Sequence, residues 1–140
     1  MKKSIEVNWL DNMSFEASVE DHKITIDAAE SVGGQNKGPT PKPLLMVSLA
    51  GCTAMDVVSI LKKMRVSFDS FKVRVEGDLT EEHPKKYTKI HVIYEFKGKN
   101  LPEDKIKKAI SLSEERYCGV SATLEGHVEL SSEYKLFESD

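Results

Sequence analysis

The segment "LMVSLAGCTAMDVVSILKKM", residues 45–64, is the longest apolar run of the chain and decides which fold it builds. Apolar residues surround most of the helix predicted here, which is typical of a central helix buried on several sides. Cys52 and Asp56 stand four residues apart inside this run, so a helix places them on one face. A carboxylate such as that of Asp56 is not expected in a helix whose only role is to be buried. Cys52 and Asp56 are therefore the first candidate functional residues.

The flanking residues predict where this helix begins and ends. Residues 30–41 are polar and rich in Gly and Pro, which indicates a loop. Thr40 is the expected N-cap, and prolines 41 and 43 are tolerated in a first turn whose N–H groups have no intrahelical partners. The basic residues that follow suit the negative end of the helix dipole: Lys62, Lys63 and Arg65.

Alternation of apolar and polar residues predicts strands on both sides of the helix. Three short strands precede it, two longer strands follow, and a second helix begins at Pro102 and ends near Cys118 and Gly119. A short helical turn at "VSATL" and a last strand around residues 128–134 complete the chain. The predicted order β-β-β-α-β-β-α-β indicates an α+β fold. Without repeats or linkers, residues 1–140 are expected to form a single domain.

Composition excludes several classes of function. The chain has 140 residues, of which 39% are hydrophobic and 31% charged, with a formal net charge of −3. These values are typical of a soluble globular protein and give no reason to expect a nucleic-acid partner. No signal peptide is recognisable, and the longest apolar run is interrupted by Asp56, so we expect no membrane partner and a cytoplasmic location.

The two cysteines, Cys52 and Cys118, are expected to be thiols in a reducing compartment. A metal site would need more ligands at short spacing, and the four histidines are scattered, so neither a metal nor an organic cofactor is predicted. One interpretation is that both cysteines pack as small hydrophobes. A redox role requires instead that one of them reaches its thiolate form, which is the nucleophile.

The surroundings of Cys52 pose an electrostatic problem. Burial and the negative charge of Asp56 both disfavour a thiolate at this position, so a cation is needed to offset them. Arg116, two residues before Cys118, is the candidate, since an Asp56–Arg116 pair would lie near both sulfurs if the two helices pack together. Alternatively, Asp56 bonds only a backbone group or a lysine.

Two motifs carry a resemblance to a known family. The segment "GPTPKPLLMVSLAGCTAMDVVSILKKMR", residues 38–65, and the segment "LSEERYCGVSATL", residues 112–124, together resemble the OsmC/Ohr family, and most closely its YhfA-like subgroup. The resemblance covers nearly the whole chain, including "EEHPKKYTKIHVIY" between the helices. It implies the OsmC-like fold in an obligate, intertwined homodimer, with central helices buried between shared sheets and two sites at the interface.

The same resemblance implies an activity. Family enzymes are thiol-dependent hydroperoxidases that protect against oxidative stress, and organic hydroperoxides are the expected substrate. The resemblance makes Cys52 the peroxidatic cysteine and Cys118 the resolving cysteine. Peroxide would oxidise Cys52 to a sulfenic acid, Cys118 would condense with it to a disulfide, and a dithiol reductant would reopen that bond.

This sequence departs from the hydroperoxidase branches at their activating residues. Those branches use an arginine from the N-terminal sheet region, but here no arginine precedes Arg65. They hold it with a glutamate about ten residues before the first cysteine, where this chain has Lys42 and Pro43. Lys42 lies about 15 Å from Cys52 along the helix. It would therefore act only by folding back or from the partner subunit.

The sequence is also consistent with a different class of function, a small-molecule-binding protein. The dimer would enclose a pocket for an apolar or electrophilic small molecule, with the thiols as part of its lining and no catalysis. The apolar residues around Cys52 fit this interpretation equally well. Loss of peroxide consumption in a Cys52→Ser variant separates the enzyme from the binding protein. A stress-induced structural dimer with vestigial thiols is a third possibility.

Overall fold

The computed structural model describes all 140 residues and confirms an α+β fold. Its elements are β1 (Glu6–Asp11), β2 (Ser14–Val19), β3 (His22–Ile26), α1 (Pro41–Lys63), β4 (Ser70–Leu79), β5 (Tyr87–Gly98), α2 (Glu103–Leu112), α3 (Gly119–Leu124) and β6 (Glu129–Glu138). The order is the predicted one, with α3 as the expected short helical turn. Two units divide the chain, residues 1–45 and residues 46–140, and the boundary falls inside α1.

The first unit contains an antiparallel three-stranded meander in the order β1-β2-β3. Large apolar side chains of this sheet remain exposed in the single chain, among them Trp9 (65%) and Val7 (47%). An alternating strand normally buries its apolar face. A sheet that leaves such side chains uncovered is typical of a surface that meets a partner.

Asp27 organises the loop that follows this sheet. Its carboxylate accepts hydrogen bonds from the backbone N–H groups of Ala28 (2.7 Å), Gln35 (3.0 Å) and Lys37 (3.2 Å). These backbone hydrogen bonds, that of Gln35 above all, hold the pKa of Asp27 below its ordinary value. Close packing also fixes glycine at position 34, where a Cβ atom would lie 1.7 Å from the carbonyl oxygen of Ala28.

The second unit is built on a three-stranded sheet in the order β4-β5-β6. Strands β4 and β5 are antiparallel, whereas β5 and β6 are parallel, so α2 and α3 form the crossover between β5 and β6. The central strand β5 packs its alternate residues into one core with the helices. That core includes Leu49, Val57, Leu61, Ile90, Val92, Tyr94, Phe96, Ile106, Ala109 and Ile110.

Helix α1 buries a single stripe within one chain. Leu49, Thr53, Val57 and Leu61 recur every four residues and are all buried. Elsewhere on the helix, Met55 is 74% exposed although it is apolar. The helix is long and apolar enough to cross a membrane by length and composition alone, with a mean hydropathy of 2.0, but the core helix of a soluble protein passes the same test.

A π-helical turn, Ser113–Tyr117, continues α2. The backbone N–H of Cys118 donates to the carbonyl oxygen of Ser113 at 2.7 Å, five residues earlier. One extra residue in a turn rotates everything after it by about 100° relative to an α-helix. The predicted helix end near Cys118 is confirmed, whereas the sequence did not predict this wider turn.

Candidate functional site

The structure brings the two cysteines together. The Sγ atoms of Cys52 and Cys118 and a carboxylate oxygen of Asp56 all lie within 4.8 Å of one another. Helix α1 supplies Cys52 and Asp56 from one face, and Cys118 stands at the N-cap of α3. Both cysteines are free thiols. A disulfide bond needs sulfurs at about 2.05 Å, so the two side chains would close by a local movement.

Cys118 rests as a neutral, buried thiol. Its side chain is only 3% exposed, and its Sγ accepts a hydrogen bond from the backbone N–H of Ser121 at 3.4 Å. Burial raises the pKa of Cys118, the hydrogen bonds from Ser121 oppose that rise, and the neighbouring Cys52 thiol adds to it. The net direction is upward, so Cys118 stays protonated at neutral pH.

Asp56 has a hydroxyl as its partner rather than a cation. The Ser113 hydroxyl donates to Asp56 Oδ2 at 3.0 Å, and none of the ion pairs of the chain involves Asp56. The expected Asp56–Arg116 pair does not form, and the guanidinium of the exposed Arg116 lies instead over the ring of Tyr117, 5.7 Å from its centroid. Lys42 is exposed in the first turn of α1.

A chain of hydroxyl groups extends from Asp56 into the core. Ser113 Oγ lies 2.8 Å from Thr53 Oγ1, which lies 2.7 Å from the hydroxyl of Tyr94. That hydroxyl in turn donates to Glu114 Oε2 at 3.3 Å. Thr53 and Ser113 are fully buried, and burial raises the pKa of Tyr94. All five residues belong to the second unit.

Sequence reasoning did not find this chain of hydroxyls. Its residues come from α1, from β5 and from the π-helical turn, and the Thr53 and Ser113 contacts join positions 41 and 60 apart in sequence. The available signal was weak: a threonine and a serine stand on faces of their helices that are otherwise apolar. A buried hydroxyl needs a hydrogen-bond partner, but its type alone does not say which residue that partner is.

A cavity of about 280 Å³ lies beside the hydroxyl chain in the second unit. Its lining includes the polar side chains of Thr53, Tyr94 and Glu114 and apolar side chains such as Leu49 and Val92. Ser121, which binds Cys118, also reaches it, but neither cysteine is among its lining residues. The thiols therefore lie outside this cavity in the single chain.

The thiol pair and Asp56 offer two sulfur donors and one oxygen donor within a short distance. Zinc accepts both donor types, and a four-coordinate zinc site with three protein ligands leaves one position for water or substrate. The trio thus satisfies the donor chemistry of a thiophilic metal, which sequence spacing did not reveal. A metal held there would compete with any reaction of the thiols.

Comparisons with known proteins agree with this architecture. The family model described as OsmC-like protein matches residues 34–133. Protein YhfA of Escherichia coli strain K12 is 30% identical over 131 residues, which cover 93% of this chain and 95% of the relative. A solved hypothetical protein from Aquifex aeolicus VF5 superimposes with a TM-score of 0.87 at 28% identity, covering 100% of this chain and 99% of its own. The organic hydroperoxide resistance protein OhrB of Bacillus subtilis shares the fold, with a TM-score of 0.66, 16% identity and coverage of 96% and 98%.

Proposed function

This chain belongs to the OsmC-like protein family, and from that premise we propose that it reduces organic hydroperoxides by two-cysteine chemistry. The observation that carries the proposal is the approach of the Cys52 and Cys118 sulfurs to within 4.8 Å across a long stretch of sequence. The name of the structural neighbour OhrB, an organic hydroperoxide resistance protein, supports this class of substrate.

The cycle follows from the chemistry of the two thiols. The Cys52 thiolate attacks a peroxide oxygen, the O–O bond breaks, and the alkoxide leaves and takes up a proton to become an alcohol. The resulting Cys52 sulfenic acid condenses with the Cys118 thiol to form a disulfide and release water. A dithiol reductant then exchanges both sulfurs back to thiols and becomes a disulfide itself.

The different surroundings of the two cysteines support the division of roles. Cys118 is more buried than Cys52, and the pKa of its thiol is raised, which suits a resolving thiol that must wait for the sulfenic acid. Cys52 is partly exposed in the single chain and therefore has access for a substrate. We assign Cys52 as the nucleophile and Cys118 as the resolving cysteine.

We further propose that the working form is a cytoplasmic homodimer in which the whole chain acts as one functional domain. Apolar side chains that a stable soluble protein would normally cover remain exposed in the single chain, including Trp9, Val47 and Met55. A second copy of the chain would cover such surfaces, and symmetric pairing is the commonest way for a soluble protein to do so.

The direct experiment is stopped-flow oxidation of the reduced protein by cumene hydroperoxide, followed by mass spectrometry. We expect rapid consumption of one equivalent of peroxide per chain and a Cys52–Cys118 disulfide in the product. Hydrogen peroxide serves as the comparison for substrate class. A chelator is present throughout, so that adventitious metal does not occupy the thiols. Unchanged consumption in the Cys52→Ser variant would rule out this mechanism.

The cavity beside the hydroxyl chain favours a second candidate, in which the protein binds a small molecule without catalysis. Its volume of about 280 Å³ and its mixture of hydroxyl, carboxylate and apolar walls suit a compact polar ligand. This candidate predicts thermal stabilisation by a ligand that persists in a Cys52→Ala variant. Steady peroxide turnover, together with a screen that identifies no ligand, would count against it.

A further inference from the structure

We propose that Cys52, Cys118 and Asp56 form a binding site for a thiophilic divalent metal ion, with Zn²⁺ as the expected ion, and that an ion held there blocks the reactions of both thiols. The three side chains come from α1 and from the N-cap of α3, and all belong to the second unit. Metal binding itself does not depend on the proposed peroxidase. Its regulatory consequence, that the ion must leave before a Cys52–Cys118 disulfide forms, rests on that proposed function.

The ligand atoms already stand close to the separations of a metal site. The two Sγ atoms and one carboxylate oxygen of Asp56 lie within 4.8 Å of one another. Zinc–sulfur bonds of about 2.3 Å and zinc–oxygen bonds of about 2.0–2.2 Å place the ligand atoms of a tetrahedron about 3.5–3.8 Å apart. A disulfide bond requires the two sulfurs at about 2.05 Å. The reduced site therefore needs a smaller movement to bind an ion than to form the disulfide.

The donor set selects a thiophilic ion. Thiolate sulfur suits Zn²⁺, whereas Mg²⁺ and Ca²⁺ prefer sites made of oxygen alone. Two thiolates and one carboxylate carry three negative charges, and Asp56 takes part in none of the ion pairs of the chain. A divalent ion offsets most of that charge. Because a metal ion deprotonates a thiol that coordinates it, binding needs no thiolate in advance, and the two protons pass to the solvent.

Hydrogen bonds hold two of the three ligands in place. The Ser113 hydroxyl donates to Asp56 Oδ2 at 3.0 Å, and the backbone N–H of Ser121 donates to Cys118 Sγ at 3.4 Å. Ser113 is itself positioned by Thr53, whose hydroxyl oxygen lies 2.8 Å from its own. Metal ligands in proteins are typically oriented by such outer hydrogen bonds, which contribute to affinity. The same contacts here orient the ligands before an ion arrives.

The burial of the two cysteines leaves the site a route to solvent in the single chain. Cys118 is only 3% exposed, whereas Cys52 is partly exposed. Three protein ligands leave the fourth position of a tetrahedral zinc ion for water or another small ligand. A thiolate bound to the ion is no longer a free nucleophile, and the sulfurs of a disulfide are no longer thiolates. The bound ion and the disulfide therefore exclude each other.

The first experiment is a titration of the reduced full-length protein with Co²⁺, without peroxide or chelator. We expect one ion per chain, a thiolate-to-cobalt charge-transfer band in the near ultraviolet and the intense visible bands of tetrahedral cobalt. Added Zn²⁺ should bleach these bands, because a site of nitrogen, oxygen or sulfur ligands generally binds Zn²⁺ more tightly than Co²⁺. Isothermal titration calorimetry with Zn²⁺ alone then gives the stoichiometry and the affinity.

Asp56→Asn is the decisive variant because it keeps the shape of the side chain and removes the charged ligand. Its affinity for Zn²⁺ should fall on the order of ten-fold or more, since even the loss of an outer hydrogen bond has an effect of that size. Asp78→Asn removes the same charge at an exposed position of β4 and should bind Zn²⁺ like the native protein. Cys52→Ser should lose much of the charge-transfer band. Melting temperatures identify misfolding, and Cys52→Ser is the second test if Asp56→Asn does not fold.

The second experiment measures whether the ion blocks the thiols. Iodoacetamide alkylates Cys52, and peptide mass spectrometry follows the product without any peroxide. Zn²⁺ should slow this alkylation on the order of ten-fold in the native protein, because a coordinated thiolate is a poorer nucleophile than a free one. A chelator should restore the rate. The protection at equal Zn²⁺ concentration should be weaker in Asp56→Asn and unchanged in Asp78→Asn.

The outcomes separate the metal site from the proposed function. Equal Zn²⁺ affinities of Asp56→Asn and the native protein would overturn the three-ligand site, and so would a cobalt spectrum without a charge-transfer band. Zn²⁺ binding by a protein that consumes no hydroperoxide would support the site and refute the peroxidase. Hydroperoxide consumption by a protein that binds no Zn²⁺ would overturn the site and leave the proposed function intact.

Discussion

The Ser113 hydroxyl donates a hydrogen bond to Asp56 Oδ2 at 3.0 Å, although the two residues are 57 positions apart. This contact explains how a carboxylate is accommodated beside two thiols without an arginine. It also connects the thiol pair to Thr53, Tyr94 and Glu114, so the surroundings of Cys52 depend on hydroxyl groups rather than on an ion pair.

The roles of the two cysteines are separated by the Cys118→Ser variant. Without the resolving thiol, Cys52 should consume one equivalent of cumene hydroperoxide per chain and then stop as a sulfenic acid, because no disulfide can form. Dimedone labelling of Cys52, measured by mass spectrometry, detects that product. Dimedone labelling of Cys52 in the native protein as strong as in this variant would show that Cys118 does not resolve the sulfenic acid.

The ionisation of Cys118 is predicted to occur above the value of 9.0 that is ordinary for a free thiol, because burial raises its pKa. The unfolded chain loses this proton first, so the stability that the protonated thiol provides is complete below the unfolded pKa and is lost as pH rises through the folded one. Thiolate ultraviolet absorbance of the Cys52→Ser variant measures the midpoint. An absorbance midpoint at or below 9.0 would contradict the assigned burial effect.

Arg116 is predicted to contribute little to the chemistry of the site. Its guanidinium lies 5.7 Å from the centroid of the exposed Tyr117 ring, a contact that is worth about 0.5–1 kcal/mol at an exposed position. Arg116→Ala should therefore leave the rate of Cys52 oxidation within about two-fold of the native value. A two-fold change in rate corresponds to less than about 1 kcal/mol in the activation free energy. Stopped-flow oxidation measures it, and a large loss would restore Arg116 as the activating cation.

The core of the second unit is predicted to depend strongly on Ile106, which is fully buried in α2. Ile106→Ala should lower the free energy of unfolding by about 2–5 kcal/mol, from lost transfer energy and the cavity that remains. The adjacent Lys107 is exposed, and Lys107→Ala should change stability by no more than about 0.5 kcal/mol. Urea denaturation at one fixed protein concentration compares the two variants. Equal losses of stability would contradict the burial of Ile106 in this core.

The proposed homodimer is tested at Met55, which is 74% exposed on α1 in the single chain. Met55→Glu places a charge where a partner would bury an apolar side chain, so the dimer should weaken or dissociate. Thr123→Glu adds the same charge on the exposed surface of α3 and serves as the control. Sedimentation velocity measures the oligomeric state of both variants. An unaffected dimer in Met55→Glu would exclude this surface of α1 from the interface.

Several features of this protein could be predicted from the sequence because they depend on local geometry. The alternation around Val73 and Val92 has the period of a strand, and the four-residue spacing of Cys52 and Asp56 has the period of a helix. The predicted element order and α+β fold are confirmed for this reason. The motifs around both cysteines indicated the family, which the comparisons confirm.

Only the tertiary structure decided which groups surround Cys52. The sequence left the partner of Asp56 open between Arg116, a lysine and a backbone group, and the structure provides Ser113 instead. One wider turn at Ser113–Tyr117 rotates the residues after it relative to an α-helix. Local periodicity carries no information on contacts 41 to 60 positions apart. Such contacts arise from the packing of whole elements against each other, because buried hydroxyls take whichever partners that packing brings within reach.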